Sequence, residues 1–238
     1  MTFSDLFASA RESLGWQPDA TQLARFEQLF RSLTETNKGL NLTRIVEPQE
    51  FWEKHLWDSL RGLGPLLENP EEPGSLIDIG TGGGFPGMPA AIALPGTQVT
   101  LLDSTRKKLA FLDGLIAELE LPNVRTWVGR AEEAGRQRRA QFDLATIRAV
   151  GPVTACAEYC LPLLKLGGLA VLYRGQWSEA EEAQLERALE VLGGELEGVD
   201  AFELPLTGAA RHCLWVRKIE STPKHYPRAV GLPAHKPL

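Results

Sequence analysis

The residues best suited to chemistry in this sequence are two aspartates and the glycine-rich run between them. Asp78 precedes the run Gly80–Gly84, which has glycine at four of its five positions, and Asp103 follows further along. Glycines remove the Cβ atoms that would keep a ligand away from the backbone, and a turn between a strand and a helix presents backbone N–H groups to it. Asp103 would end the next strand, where its carboxylate could accept hydrogen bonds from both hydroxyls of a ribose. The pattern predicts a site for a cofactor that contains a ribose.

Two cofactor patterns fit this run. The window Gly82–Gly87 matches the dinucleotide pattern G-x-G-x-x-G, which is weak evidence when it stands alone. Asp78 before a G-x-G-x-G run resembles instead the first motif of class I S-adenosylmethionine-dependent methyltransferases. The segment Gly129–Glu132, after the third predicted strand, offers a backbone N–H and a side chain to an adenine. S-adenosylmethionine is therefore favoured, while a nicotinamide cofactor and a glycine turn without a ligand remain alternatives.

Short apolar strands alternate with helices through the middle of the chain and position these residues. The rhythm predicts an α/β fold with a mostly parallel, doubly wound, seven-stranded sheet of the class I, Rossmann-like type. Two final strands joined by a short loop predict an antiparallel hairpin, so one edge strand should be reversed. The predicted strands are 76–79, 98–103, 124–128, 142–147, 168–173, 197–204 and 211–218.

The chain divides into three zones. Leu23, Phe26, Leu29 and Leu33 recur at spacings of three and four, which is typical of an amphipathic helix. Prolines and acids at 68–74 predict a linker. We therefore expect an N-terminal helical subdomain (1–70), a cofactor-binding domain (71–220) and a basic, extended tail (221–238).

The distribution of charge is uneven although the net charge is only −6. Residues 176–210 carry nine acids and one base, whereas residues 211–238 carry six bases and one acid. This is compatible with a polyanion met on one side, and equally with a solvated surface. No apolar run is long enough to span a membrane, the N-terminus does not resemble a secretion signal, and three cysteines without metal-ligand spacing suggest reduced thiols. We expect a cytoplasmic protein that binds neither a membrane nor a metal.

The methyl acceptor is constrained by motifs that the sequence lacks. The fourth strand is followed by Arg148-Ala149-Val150, where amino-group DNA methyltransferases carry an Asn/Asp-Pro-Pro-aromatic motif. Methylation of pyrimidine C5 requires a cysteine nucleophile. Cys156, Cys160 and Cys213 are better interpreted as core residues, because they lie within apolar elements.

Several blocks together are more specific than the glycine run. They are Asn41-Leu42-Thr43, His55-Leu56-Trp57-Asp58-Ser59, Ile77–Gly87, Leu101-Leu102-Asp103-Ser104, Arg148-Ala149, Arg174-Gly175-Gln176, Arg211-His212 and Thr222–Arg228. In these blocks the chain resembles the RsmG (GidB) family of guanine-N7 methyltransferases of 16S ribosomal RNA, from about Asn37 to Arg217. It departs at Gly83, where many members have proline, and at Arg174, where some have lysine.

The resemblance implies methyl transfer from S-adenosylmethionine to N7 of a guanine in the 530-loop region of 16S rRNA. The partner is 16S rRNA itself, the small ribosomal subunit or its precursor. Guanine N7 has an in-plane lone pair and no proton, so direct in-line transfer needs neither a general base nor a covalent intermediate, and positioning can lower the barrier by about 7–11 kcal/mol. The implied cofactor-binding residues are Gly80, Phe85, Asp103, Ser104, Thr105, Ala131, Glu132 and Arg148. A methyltransferase for another acceptor and a non-catalytic RNA-binding assembly protein remain alternatives.

Arginines are the expected contacts to RNA. Arg148 would end strand four beside the transferred methyl group, where it could donate to guanine O6 or to a phosphate, or else brace the fold. The expected phosphate track comprises Arg174, Arg211, Lys165, Arg217, Lys218, Lys224 and Arg228. A second candidate patch comprises Arg125, Arg130, Arg136, Arg138 and Arg139. The target guanine should lie in a loop or be unstacked, since the major groove of duplex RNA hides its N7 edge.

Two N-terminal motifs leave their roles open. His55 and Asp58, three residues apart on one helix face, could reach the mouth of the site or could brace the N-terminal helices on the sheet. Asn41-Leu42-Thr43 could contact RNA or cap a helix.

Overall fold

The computed structural model describes residues 2–40, 45–70 and 74–238, together with their side chains except those of 37–40. The block Asn41-Leu42-Thr43 and residues 71–73 of the expected linker lie outside this part of the chain.

A seven-stranded sheet forms the centre of the fold, in the order β3-β2-β1-β4-β5-β7-β6. β1 to β5 are parallel, whereas β7 runs antiparallel to both of its neighbours, β5 and β6. The predicted α/β sheet and its reversed strand are confirmed, with β7 inserted between β5 and β6 at the edge that the hairpin forms. The strands are β1 Gly74–Ile79, β2 Thr97–Asp103, β3 Val124–Val128, β4 Phe142–Arg148, β5 Leu164–Arg174, β6 Gly194–Glu203 and β7 Ala210–Lys218.

Helices cover both faces of the sheet. Along β1, Leu76 packs into one buried cluster, while Ile77 and Ile79 pack into another, because alternate side chains of a strand point to opposite faces. The first face carries α1 Phe3–Ser9, α2 Arg11–Leu14, α3 Ala20–Leu40, α4 Pro48–Phe51, a π-helix Trp52–Trp57, α5 Asp58–Arg61, α6 Gly64–Leu67, α7 Gly87–Ala93 and α8 Arg106–Glu118. The second face carries α9 Ala131–Gln137, α10 Val153–Cys160 and α11 Glu179–Leu192. The N-terminal helices thus share one core with α7 and α8.

The C-terminal tail, residues 221–238, is packed against the second face. Arg139 donates to the backbone carbonyls of Thr222 and Tyr226, and Arg136 donates to that of Pro227. The chain then forms a short helix, α12, at Leu232–His235. The tail is therefore not extended at residues 232–235, and the contacts of Arg136 and Arg139 hold its preceding part on the protein.

The strand order reverses between β1 and β4, which fixes where a ligand can bind. In open parallel sheets, ligands bind outside the carboxyl ends of the strands at such a reversal. The carboxyl ends of β1, β2 and β4 are Ile79, Asp103 and Arg148, and together they form the edge of the sheet at which such a ligand would bind. In the part of the chain described, no helix is long and apolar enough to cross a membrane.

Candidate active site

The loop between β1 and α7 requires glycine because of both its backbone and its neighbours. Gly80 has φ +69°, and a Cβ atom there would lie 2.7 Å from Cγ2 of Val150. At Gly87 a Cβ atom would lie 2.3 Å from Cδ2 of Leu101 and 2.8 Å from Oδ2 of Asp78. The glycines thus let the loop pass close to the sheet.

Asp78, in β1, fixes the end of this loop by hydrogen bonding. It is fully buried, and its Oδ2 accepts a hydrogen bond from the Gly87 N–H at 2.9 Å while its Oδ1 accepts one from Thr146 Oγ1 at 2.9 Å. Burial raises the pKa of Asp78, and these hydrogen bonds oppose the rise. The first acid of the motif is therefore a structural brace and does not face the ligand space.

Asp103 faces the ligand space at the end of β2. Its Oδ2 accepts from the Gly82 N–H at 2.9 Å, and its Oδ1 accepts from the Thr105 N–H at 2.8 Å. Each carboxylate oxygen can accept a second hydrogen bond, so both remain able to accept from a ligand. The two backbone donors fix the carboxylate in position.

A cavity of about 390 Å³ opens beside Asp103. This volume is within the range of small-molecule sites. Five of the expected cofactor-binding residues, Gly80, Asp103, Ser104, Ala131 and Glu132, line it, and Thr105 donates a hydrogen bond to Asp103. Its other lining residues are Ile79, Leu102, Gly129, Arg130, Val150, Tyr159, Val230, Gly231, Ala234 and His235.

Arg148 and Phe85, two further cofactor candidates, do not line this cavity. Arg148 donates through Nη1 to the Lys54 carbonyl at 2.9 Å and to Asp58 Oδ2 at 2.8 Å. Phe85 stacks on the imidazole of His55, with ring centroids 4.2 Å apart. Arg148 therefore contacts the π-helix and the start of α5, and Phe85, in the glycine loop, contacts the π-helix.

The charges around Arg148 form a connected group. The Nε of Arg211 lies 3.7 Å from Asp58 Oδ1, so Asp58 lies between two guanidinium groups. Burial raises the pKa of Asp58, and Arg148 and Arg211 oppose that rise. Burial, with Arg148 next to it, lowers the pKa of His55 to about 3, so the ring is neutral at physiological pH. His55 and Asp58 connect the N-terminal helices to β4 and β7, which agrees with the bracing interpretation.

Two of the seven expected RNA contacts lie at the same edge as the cavity. Arg174 ends β5, where it donates to the Gly151 carbonyl at 2.8 Å and pairs with Glu181. Arg211 is the second residue of β7, and its neighbour His212 is paired in register with Arg174, so Arg211 lies close to the end of β5. Arg174 and Arg211 form what we call the upper pair.

The other basic residues do not continue this pair, so the expectation of one continuous track is wrong. Lys165 and Arg217 lie at the opposite ends of their strands, where they pair with Asp143 and Glu197. Lys218 is buried with its ammonium donating to the carbonyls of Leu161 and Leu164, so it cannot reach a phosphate. Because β7 runs antiparallel to β5, Arg211 lies beside the carboxyl end of β5. Arg217 lies beside the first half of β5, away from the cavity.

Within the tail, Lys224 is exposed, whereas Arg228 is paired with the fully buried Glu158. In the second candidate patch, Arg136 and Arg139 bind backbone carbonyls of the tail. Because Arg136, Arg139 and Arg228 are bonded to other parts of the protein, the phosphate track and the second candidate patch each have fewer side chains able to contact RNA.

Sequence reasoning missed the contribution of the tail to the cavity. Its residues Val230, Gly231, Ala234 and His235 line the same cavity as Asp103, although they are more than 90 positions away along the chain. The only signal in the sequence was that part of this tail, Thr222–Arg228, resembles the tails of known proteins.

The three cysteines are free and buried. Burial raises the pKa of Cys156 to about 12, and it raises those of Cys160 and Cys213 well above the ordinary value. Such thiols are poor nucleophiles, because the thiolate is the reactive form. Among the described residues, no group of three His, Cys, Asp or Glu side chains could hold a metal ion.

Comparisons with known proteins agree with this architecture. The family model for rRNA small subunit methyltransferase G matches residues 22–212. The chain is 57% identical over 233 residues to ribosomal RNA small subunit methyltransferase G of Trichormus variabilis, covering 96% of this chain and 95% of that protein. It is 61% identical over 229 residues to the protein of the same name from Synechococcus elongatus, covering 95% and 94%. A solved SAM-dependent methyltransferase from Aquifex aeolicus shares the fold, with TM-score 0.57, 14% identity and coverage of 75% and 97%.

Proposed function

Because the chain belongs to the rRNA small subunit methyltransferase G family, we propose that it transfers a methyl group from S-adenosylmethionine to N7 of a guanine in 16S rRNA. The target region is the 530 loop, as the resemblance implies, and the substrate is 16S rRNA, either free or within the small ribosomal subunit or its precursor. The reaction takes place in the cytoplasm, where free thiols such as these three persist.

The observation that carries the cofactor assignment is the carboxylate of Asp103. It lies beside a cavity of about 390 Å³, held by two backbone N–H groups, with capacity left to accept from a ribose. Ala131 and Glu132 line the part of the cavity next to β3, where an adenine would lie. When bound, S-adenosylmethionine supplies an electrophilic methyl group on a sulfonium sulfur. The residues present thus suit this cofactor.

The chemistry of the site supports an acceptor that needs no covalent activation. The only three thiols of the chain are buried and protonated, so a C5-pyrimidine mechanism lacks its nucleophile. A guanine N7 presents its lone pair directly, and the protein then contributes by holding the acceptor in line.

Arg148 acts in this proposal as a positioning residue. Its side chain is fixed by the Lys54 carbonyl and by Asp58, and its guanidinium lies 5.8 Å from the centre of the Phe85 ring. It joins the helices that cover the glycine loop to the end of β4, beside which the acceptor base would enter. The upper pair, Arg174 and Arg211, provides contacts to phosphates at the same edge.

The test is methylation in vitro with naked 16S rRNA and with small subunits in parallel. Purified protein and labelled S-adenosylmethionine should yield N7-methylguanosine, identified by mass spectrometry of nuclease digests. Asp103→Ala should weaken cofactor binding at least tenfold, whereas Asp143→Ala, which removes an exposed aspartate at the other end of the sheet, should not. If the protein binds S-adenosylmethionine but methylates neither RNA substrate, the acceptor is a different molecule. If it binds no S-adenosylmethionine at millimolar concentration, it is not a methyltransferase.

A further inference from the structure

The C-terminal tail forms one side of the cofactor cavity. Val230, Gly231, Ala234 and His235 line it together with Asp103 and Glu132. The backbone N–H of Gly231 donates to Oε1 of the buried Glu132 at 2.8 Å. The tail is thus bonded to a residue that the cofactor would meet.

A buried ion pair fixes the tail just before it reaches the cavity. Arg228 donates to the carboxylate of Glu158 through its backbone N–H at 2.7 Å, through Nε at 2.9 Å and through Nη2 at 2.6 Å. Glu158 is fully buried within α10. The Nη1 of Arg228 also donates to the carbonyl of Lys236 at 2.9 Å, which holds the end of α12 close. We call the Arg228–Glu158 pair the latch.

The tail bounds the cavity and does not fill it. A volume of about 390 Å³ remains with α12 in place. Val230, 49% exposed, adds an apolar side chain to the lining of this space, which also includes the carboxylates of Asp103 and Glu132. A flat apolar ring with polar edges, such as a purine, matches a wall of this composition.

We propose that residues 230–235 form the wall of the cofactor pocket on the adenine side and contribute affinity for the adenosine part of the cofactor. The latch holds this wall in position. The inference rests on the proposed function, because it assigns part of the site that the cofactor would occupy.

The test is isothermal titration of the full chain and its variants with S-adenosylhomocysteine and with adenosine. A chain that ends after Ala229 keeps Arg228 and Glu158 but loses the lining residues, and its Kd for both ligands should rise at least tenfold. The substitution Ala234→Trp, which places a bulky ring at the cavity, should weaken binding of both ligands similarly. Its matched control is Ala229→Trp, at an exposed tail residue that does not line the cavity, and its affinity should stay within twofold.

Methylation kinetics separate a binding role from general damage. The chain that ends after Ala229 should show a raised KM for S-adenosylmethionine, with kcat within about twofold of the full chain. Thermal unfolding without ligand checks that each variant is folded, and Ala234→Trp keeps the test valid if the shortened chain is unstable.

Three results would contradict the proposal that the tail forms a wall of the cofactor pocket. They are unchanged Kd values in folded variants, tighter binding after truncation, which would make the tail an obstruction, and a loss confined to kcat. If the full chain binds its cofactor but the variants bind equally well, only this inference fails. If the full chain binds neither ligand, the proposed function fails with it.

Discussion

Replacing Gly87 by a residue with a Cβ atom should destabilise the folded protein. A Cβ atom there would overlap Leu101 and the buried carboxylate of Asp78, which the Gly87 N–H also bonds. Gly87→Ala should therefore lower the free energy of unfolding by about 1–3 kcal/mol, as overpacking of a core does. Gly114 lies within α8 with open space around it, and Gly114→Ala should raise stability by roughly 0.5–1 kcal/mol. Urea unfolding of the two variants, measured side by side, checks both signs.

His55 makes stability depend on pH in a predictable direction. Its folded-state pKa is about 3 against an ordinary value of 6.5, so the unfolded chain takes up a proton first as the pH falls. The stabilisation is complete above pH 6.5 and is lost as the pH falls toward 3, by about 1.4 kcal/mol per pH unit.

His55→Phe keeps a ring against Phe85 but removes the titration. Between pH 6.5 and 5 the free energy of unfolding of the natural chain should fall by about 1.6 kcal/mol more than that of the variant. Both proteins share the other three histidines, so the difference isolates this ring. Parallel pH profiles would show that His55 is not held neutral in the folded state.

Residues of the cavity that lie at the end of a strand or a few residues after it could be placed from the sequence. Gly80, Asp103 and Ala131 could be placed because the carboxyl ends of parallel strands meet at one edge. Arg148 was placed correctly at the end of β4, but its direction depends on Asp58, which lies 90 positions earlier. Such a pairing leaves no local pattern in the sequence.

Elements were predictable where their boundaries carry local signals. α11 spans Glu179–Leu192, and both of its ends have such signals, because Ser178 caps its first turn and Gly193 adopts the left-handed conformation after its last. α12 and the packing of the tail were missed, since the tail is held by Arg139 and Glu158, which are distant in sequence. The π-helix at Trp52–Trp57 has no sequence signal that we recognise.

The contact between α5 and the sheet depends on Asp58. Asp58→Asn removes the charge between Arg148 and Arg211, and it should lower stability by roughly 1.5–3 kcal/mol, the usual range for hydrogen bonds to charged groups. Asp143→Asn disrupts the half-exposed pair with Lys165 and should change stability by less than about 1 kcal/mol.

Activity distinguishes the brace from a cofactor contact. Because Asp58 does not line the cavity, Asp58→Asn should leave the Kd for S-adenosylhomocysteine within about twofold while kcat for RNA methylation falls. A large loss of cofactor affinity with unchanged kcat would place Asp58 in the cofactor site instead.

At the scale of the whole molecule, basic residues lie at both ends of the strands, some at the edge that carries the cavity and others at the opposite edge. Arg211 and Arg217 lie on the same strand, β7, six positions apart, which is about 20 Å along an extended strand. Arg211 faces the edge that carries the cavity, whereas Arg217 is bonded to Glu197 and to the Gly167 carbonyl at the opposite edge. A single RNA strand bound at the active edge should therefore meet one of them and not the other.

This pair of arginines gives a matched test of the RNA path. Arg211→Ala should weaken binding of 16S rRNA and lower the slope of log K against log salt concentration by about 0.7–0.9, the value for one phosphate contact. Arg217→Ala removes the same charge from the same strand and should change neither quantity. Filter binding over a range of salt concentrations measures both, and titration with S-adenosylhomocysteine checks that losing the contact to Asp58 has left the cofactor site intact. Equal effects of the two substitutions would mean that RNA binding depends on net charge, whereas a larger effect of Arg217→Ala would move the RNA to the edge opposite the cavity.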